Sequence, residues 1–269
     1  MKEPFVLKEK QLFVLEKWQQ LSEKLKVGFT TKNGGVSKGD FSSFNCGLHV
    51  HDDRNDVLEN RRKLADLLDF PLEDWVAGEQ IHGNDVQYVT VDDRGKGATD
   101  LSTALSGTDG LLTKGKGILL TAFFADCIPL FFFDPVEEMI GIAHAGWKGT
   151  VKEIAGEMVN AFKKNGSKPE HILVAIGPGI SKTHYEVDTY VASQIDEGYR
   201  KKVLFPLGND RYLLDLKELN KEILLHYGIF RHNIDKTNYC TFHDDELFFS
   251  HRRDQGRTGR MLGFIGMMQ

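Results

Sequence analysis

The chain has 269 residues, 41% hydrophobic and 27% charged, a balance that builds a packed core and excludes a disordered protein. Lysine plus arginine number 34 against 39 aspartate plus glutamate, a net charge of -5, so a sequence-independent grip on nucleic acid is not expected. Three widely spaced cysteines, Cys46, Cys127 and Cys240, cannot make a disulfide framework and point to a reducing compartment. The longest apolar run, residues 118–133, is short for a membrane span and is interrupted by Asp126 and Pro129. The first twenty residues scatter charges where a secretory leader needs an apolar stretch. The expectation is a cytoplasmic protein of one domain, 1–269, with no membrane or nucleic-acid partner.

In chain order, a helix is expected over residues 53–68, capped by Asp53, with Val57, Arg61, Leu64 and Leu68 on one face. Residues 86–91 read as a short strand. Residues 117–124 and 128–133 read as strands apolar on both faces, joined through Ala125, Asp126 and Cys127, and 139–143 as a further strand. After Trp147 the residues Val151, Ile154, Ala155, Met158, Val159 and Phe162 keep helical spacing, and Gly166 can end that helix. A strand at 171–176 follows. A helix after Asp188 should turn Val191 and Ile195 inward, and one after Asp215 should carry Leu216, Leu219 and Ile223 and stop at Gly228. Residues 246–250 read as a last strand. Helices and strands mix without strict βαβ alternation, which favours an α+β fold of mixed β-sheets packed as a sandwich with helices outside.

The commonest NTPase, α/β-hydrolase, zincin and thioredoxin motifs are absent. Three segments place a chemical residue beside glycine or a break at a strand end: His82 in GEQIHGNDV, Cys127 in FFADCIPLFFFDP and His144 in IGIAHAGWKGT. Two imidazoles and a thiolate would suit zinc and leave a fourth position for water or substrate. Each residue alone reads more readily as a hydrogen-bonded core histidine or an inert buried thiol, and the three together balance the two readings. Asp126, a carboxylate inside an apolar segment, reads either as an acid/base group beside Cys127 or as a turn residue. Lys148 near a helix start is a candidate phosphate contact or an exposed first-turn lysine, and Arg61 on an apolar helix face reaches either an anion or a buried carboxylate. Residues 250–260, with His251, Arg252, Arg253 and Arg260, form a basic segment that either meets phosphate or is a solvated turn.

Taken together, GEQIHGNDV, TDGLLT, FFADCIPLFFFDP, IAHAGWKGT, AIGPGI and FFSHRRDQGRTGRM, with GFTTKNGGVSKGDFSSFNCGLHVHDD and VLENRR before them, resemble the YfiH/YlmD-like family. That family is also called the laccase-domain or polyphenol oxidoreductase family, and the likeness spans roughly residues 27–265. The resemblance implies an αββα-type sandwich and a zinc site of His82, Cys127 and His144. It also implies a purine nucleoside and phosphate as substrates, through phosphorolysis of adenosine, inosine or methylthioadenosine, with adenosine deamination as a second activity. It suggests Asn45 near the pocket and raises Arg61 as an anion contact. Where the family often has an arginine before the Gly-Gly-Val-Ser turn, this chain has Thr31-Lys32-Asn33, so Lys32 would supply a point charge and not a bidentate fork.

Copper-dependent phenol oxidation is disfavoured, because a multicopper cluster needs several H-x-H pairs and only His49-Val50-His51 is present. A cysteine hydrolase with Cys127 as nucleophile and His144 as base, and a nucleoside-binding module without turnover, use the same residues.

Overall fold

The computed structural model describes residues 3–269; Met1 and Lys2, the start of the stretch read as lacking a leader, lie outside the described residues. The first sheet runs β1 (Val6–Glu9), β2 (Leu12–Val14), β3 (Leu25–Thr30), β15 (Met261–Met267), β7 (Ile118–Phe124) and β4 (Trp75–Ala77), antiparallel except for the β7–β4 pair. The second runs β14 (Ile234–Lys236), β10 (Leu173–Ile176), β8 (Ile128–Asp134), β9 (Met139–Ala145), β6 (Gly110–Thr113) and β5 (Val86–Tyr88), parallel only at its two edges. A small third sheet orders β11 (Glu186–Asp188), β13 (Arg211–Leu214) and β12 (Leu204–Gly208).

The period-two alternation of strand side chains divides each central strand between two cores. In β8, Phe131 and Phe133 face the first sheet, while Ile128, Leu130 and Phe132 face the helices behind. In β7, Ile118, Leu120, Ala122 and Phe124 face the second sheet, and Leu119 and Phe123 face the opposite helix layer. Gly263 in β15 keeps this inter-sheet layer tight: a Cβ there would sit 3.0 Å from Phe124 and 3.1 Å from Ile142. Helix α2 (Arg54–Leu68) covers the first sheet, and α4 (Ile154–Lys164) and α7 (Leu216–His226) cover the second. The result is the expected α+β arrangement, two packed sheets with helices outside.

Helix α2 is capped as the sequence suggests: the Asp53 carboxylate accepts the Asn55 amide at 2.7 Å, and Val57, Arg61, Leu64 and Leu68 are buried. Helix α7 likewise starts on Asp215, which accepts the Glu218 amide at 2.9 Å. Other expectations are corrected. The helix after Trp147 is two pieces, α3 (Trp147–Val151) and α4, because Glu153 takes a left-handed φ of 62° and redirects the chain. That break lets α3 lie against the Gly83 backbone, where a Cβ on Gly149 would come 2.5 Å from the Gly83 carbonyl. The helix after Asp188 is the short α5 (Thr189–Ser193), and Ile195 is buried beyond it. The strand at 86–91 stops at Tyr88.

Residues 246–250 form no strand. Phe248 instead plugs the inter-sheet core against Phe13 and Phe29, while the Arg253 guanidinium donates to the carbonyls of Thr241, Phe242 and Phe248. Those carbonyls are thereby satisfied without a ladder. No helix among the described residues is long and apolar enough to cross a membrane.

Candidate active site

Residues 125–127 carry the chain from β7 in one sheet to β8 in the other. This crossing uses a left-handed Asp126, with φ of 84°. The crossing, the C-terminal end of β9, the residue before β6 and the loop after β4 all fall at one end of the sandwich. There His82, Cys127 and His144 converge, with their ligand-type atoms within 4.8 Å of one another. His144 is buried, Cys127 is half-buried and His82 is exposed, so the cluster opens on one side to a cavity of about 650 Å³.

The His82 loop is held on two sides. The Gln80 side chain accepts the Phe123 amide at 2.7 Å and donates to the Phe123 carbonyl at 2.8 Å, as an added strand residue would. The Asp109 carboxylate accepts the amides of Ile81, His82 and Gly83 at 3.1, 3.1 and 2.7 Å, and the Nδ1–H of His144 at 2.8 Å. Burial opposes a charge on Asp109, but the His144 contact and these amides hold the carboxyl below the usual carboxylate range. An ionised carboxylate only accepts, so Nδ1 carries the proton and Nε2 is left toward the cluster.

Burial would raise the Cys127 thiol, but His144 first and then His82 draw it down to about 6. Burial opposes a charge on His144, but the Cys127 charge and the Asp109 contact push it up. The pair therefore favours thiolate and imidazolium, the charge pattern of a site built to receive a cation in place of the proton.

The cluster fits a small tetrahedral ion. Its donors are borderline to soft, His144 has its outer carboxylate, and the approach is too close for any side chain between. A Cβ on Gly146 would lie 2.8 Å from His82 Cδ2 and 3.0 Å from Cys127 Sγ. The rings of His82 and His144 meet edge to face at 75°, so they present nitrogens from two directions. Among the described residues this is the one such group of three or more potential ligands.

Aromatic and cationic groups line the rest of the cavity: Phe123, Trp147 and Tyr185, with Lys148, Arg252 and Arg260. Burial first, then the charges of Arg260 and Arg61, hold His49 at about 4, so it faces the cavity as a neutral imidazole. Burial and nearby Cys127 keep the Tyr185 hydroxyl un-ionised. The Arg252 guanidinium lies 5.1 Å over the Tyr185 ring and donates to the Glu186 carbonyl at 2.9 Å.

Of the residues singled out in the sequence, His82, Asp126, Cys127, His144, Lys148, His251, Arg252 and Arg260 reach this cavity. Arg61 and Asn45 do not. Arg61 is 1% exposed and lies behind the wall, with its guanidinium 4.5 Å over Phe123 and its donors on the carbonyls of Cys46, Gly97 and Ala98. It is a brace, and the expected anion contact is corrected. Asn45 is also buried: its Oδ1 accepts the amides of Gly47 and Arg260 at 2.9 and 2.8 Å, and its Nδ2 donates to Asp52. It positions Arg260 rather than lining the cavity. Lys32 lines a separate surface depression with Asp40 and Arg257.

Asp126 lines the wall with a carboxylate already holding three donors: Thr241 Oγ1 at 2.7 Å, Ser250 Oγ at 3.0 Å and the Arg252 amide at 2.7 Å. Asp109, in TDGLLT, is the site residue that motif and spacing do not mark, although a carboxylate leading into an apolar strand is a signal for a buried partner.

Residues 26–268 match the family described as multi-copper polyphenol oxidoreductase laccase. The chain is 46% identical to a Bacillus subtilis protein named purine nucleoside phosphorylase YlmD, over 99% of this chain and 98% of that protein. It is 49% identical to the protein of the same name from Geobacillus stearothermophilus, over 89% of each. The crystal structure of the Bacillus licheniformis hypothetical protein YfiH superposes with a TM-score of 0.95 at 43% identity, covering 98% of this chain and 99% of that one. The chain therefore belongs to the YfiH/YlmD-like, polyphenol oxidoreductase laccase family.

Proposed function

We propose that the protein is a zinc-dependent purine nucleoside phosphorylase of the cytoplasm. The observation that carries this reading is the cavity itself: a His82–Cys127–His144 cluster facing three cationic side chains and three aromatic ones in a volume ordinary for a small-molecule site. The relatives named purine nucleoside phosphorylase support the same reaction.

In phosphorolysis a phosphate oxygen forms a bond to C1′ of the nucleoside while the C1′–N9 bond breaks. The purine leaves with that electron pair and takes up the proton that hydrogen phosphate gives up on forming the ester. Arg252, Arg260 and Lys148 would hold the phosphate, whose charge they match and whose approach they orient. Phe123 and Trp147 would cover apolar faces of base and sugar and exclude water, while neutral His49 and Tyr185 offer hydrogen bonds without adding charge. Asp126 would serve through its three donors, fixing the Arg252 backbone and the Cys127 turn. Oδ2 takes two of these donors and Oδ1 one, so a single acceptor site on Oδ1 is left for any contact with substrate. A zinc ion held by His82, Cys127 and His144 would supply a Lewis-acid centre beside the substrate.

Adenosine deamination is a further activity the same cavity would accommodate, with inosine as its product. A copper phenol oxidase draws no support from the ligand set, since one group of three is far from a copper cluster.

The test is ligand removal. Cys127→Ala, His82→Ala and His144→Ala should each lose bound metal and nucleoside turnover while keeping the fold by circular dichroism. Full turnover in a metal-free variant would refute the zinc assignment.

A further inference from the structure

Both histidines of the cluster are governed by one carboxylate that never reaches the cavity. The Asp109 side chain is fully buried, and its oxygens collect four donors. Three are consecutive backbone amides, Ile81 to Gly83, and the fourth is the His144 ring. The main chain repeats the link, because the His144 amide donates to the Asp109 carbonyl at 2.8 Å.

Consecutive amides converge on one acceptor only when the chain curls around it. That curl matches the left-handed conformation of His82, whose φ is 61°. A non-glycine residue adopts that conformation at a cost, so something outside the residue must hold it. The nearest anchors are Asp109 on one side of the loop and the Gln80 amide on the other. An ordinary turn aspartate satisfies one or two amides near its own backbone. This one instead reaches residues 26 to 28 positions earlier and a ring 35 positions later.

We propose that Asp109 is the positioning residue of this site, setting the His144 tautomer through one hydrogen bond and the His82 loop through three. Resting on the metal reading above, the proposal gives Asp109 a role that no contact with substrate would reveal. Asparagine at this position keeps one acceptor oxygen but turns an NH₂ group toward donors, so it must abandon part of the set.

The experiment titrates metal-free wild type, Asp109→Asn and a surface control, Asp92→Asn, with zinc against a chromophoric chelator. The cobalt(II)-loaded forms are then compared by their d–d and thiolate charge-transfer bands. Asp109→Asn should bind zinc about 10- to 100-fold more weakly and shift the cobalt spectrum, while the control matches wild type. Equal zinc affinity and an unchanged spectrum in Asp109→Asn would overturn the positioning role and leave the metal reading intact. Wild type that takes no zinc would overturn both.

Should Asp109→Asn fail to fold, nitrogen-detected NMR of the zinc-loaded wild type decides. A proton on His144 Nδ1 with Nε2 on the metal supports the proposal, and the reverse arrangement overturns it.

Discussion

Replacing Gly146 with alanine adds a single methyl group at the point where the three candidate ligands meet. Gly146 has an extended conformation, φ -71° and ψ 168°, which alanine adopts freely, so the backbone is not the obstacle. The new Cβ would stand 2.8 Å from His82 Cδ2 and 3.0 Å from Cys127 Sγ, while ordinary contact begins at 3.4 Å. The ring must retreat by roughly 0.6 Å and the sulfur by roughly 0.4 Å, two to three times the tolerance of about 0.2 Å in metal–ligand distances.

His82 is exposed and free to yield, so the expected damage falls on coordination and not on folding. Zinc affinity should drop at least about tenfold, near 1.4 kcal/mol. The metal-free variant should unfold at or slightly above the wild-type temperature, since alanine narrows the unfolded ensemble. Chelator competition measures the first quantity and calorimetry of the metal-free proteins the second. Unchanged zinc affinity in Gly146→Ala would refute the claim that these three side chains close on one ion.

Three further perturbations separate structural from functional roles. Arg61→Leu strands the carbonyls of Cys46, Gly97 and Ala98, and should cost about 3 kcal/mol in urea unfolding. The folded fraction should keep its KM for phosphate; a selective rise in that KM would restore Arg61 as an anion contact. Arg252→Met should instead raise the phosphate KM about tenfold with little change in unfolding, and unchanged kinetics would remove Arg252 from the phosphate site.

Lys217, buried on α7 with its ammonium on the carbonyls of Thr237 and Tyr239, is brought down to about 8 by burial. The unfolded lysine therefore binds more protons between pH 8 and about 10.5, and stability contributed by this group rises with pH across that window. From pH 7.5 to 9.5, wild type should gain on the order of 2 kcal/mol relative to Lys217→Met. Parallel urea curves at the two pH values would contradict this.

The central strands were legible because their sequence is apolar at every position but Thr121 and Asp134. That leaves a strand no choice but burial on both faces, as in residues 118–124 and 128–134. Helix α2 was legible from Asp53 and its apolar stripe. The break at Glu153 was not, since apolar spacing continues across the left-handed residue that makes it. Residues 246–250 carry strand-like Phe248 and Phe249, yet Asn33, Lys32 and Arg253 donate to the carbonyls of Glu246, Leu247 and Phe248 and remove the need for a ladder partner.

At the site, His82, Cys127 and His144 stood beside glycines and breaks, which marked element ends without showing that the ends meet. Arg61 misled because an arginine on an apolar helix face looks the same whether it meets an anion or backbone carbonyls. Asp109 escaped notice because its partners lie in two distant segments.

Phosphorolysis is tested most directly by a mass-resolved chromatogram of adenosine incubated with zinc-loaded protein, with and without phosphate. Adenine and ribose 1-phosphate should appear in equal amounts, and only when phosphate is present. Adenosine left intact over hours at high protein concentration, or consumed equally without phosphate, would contradict it.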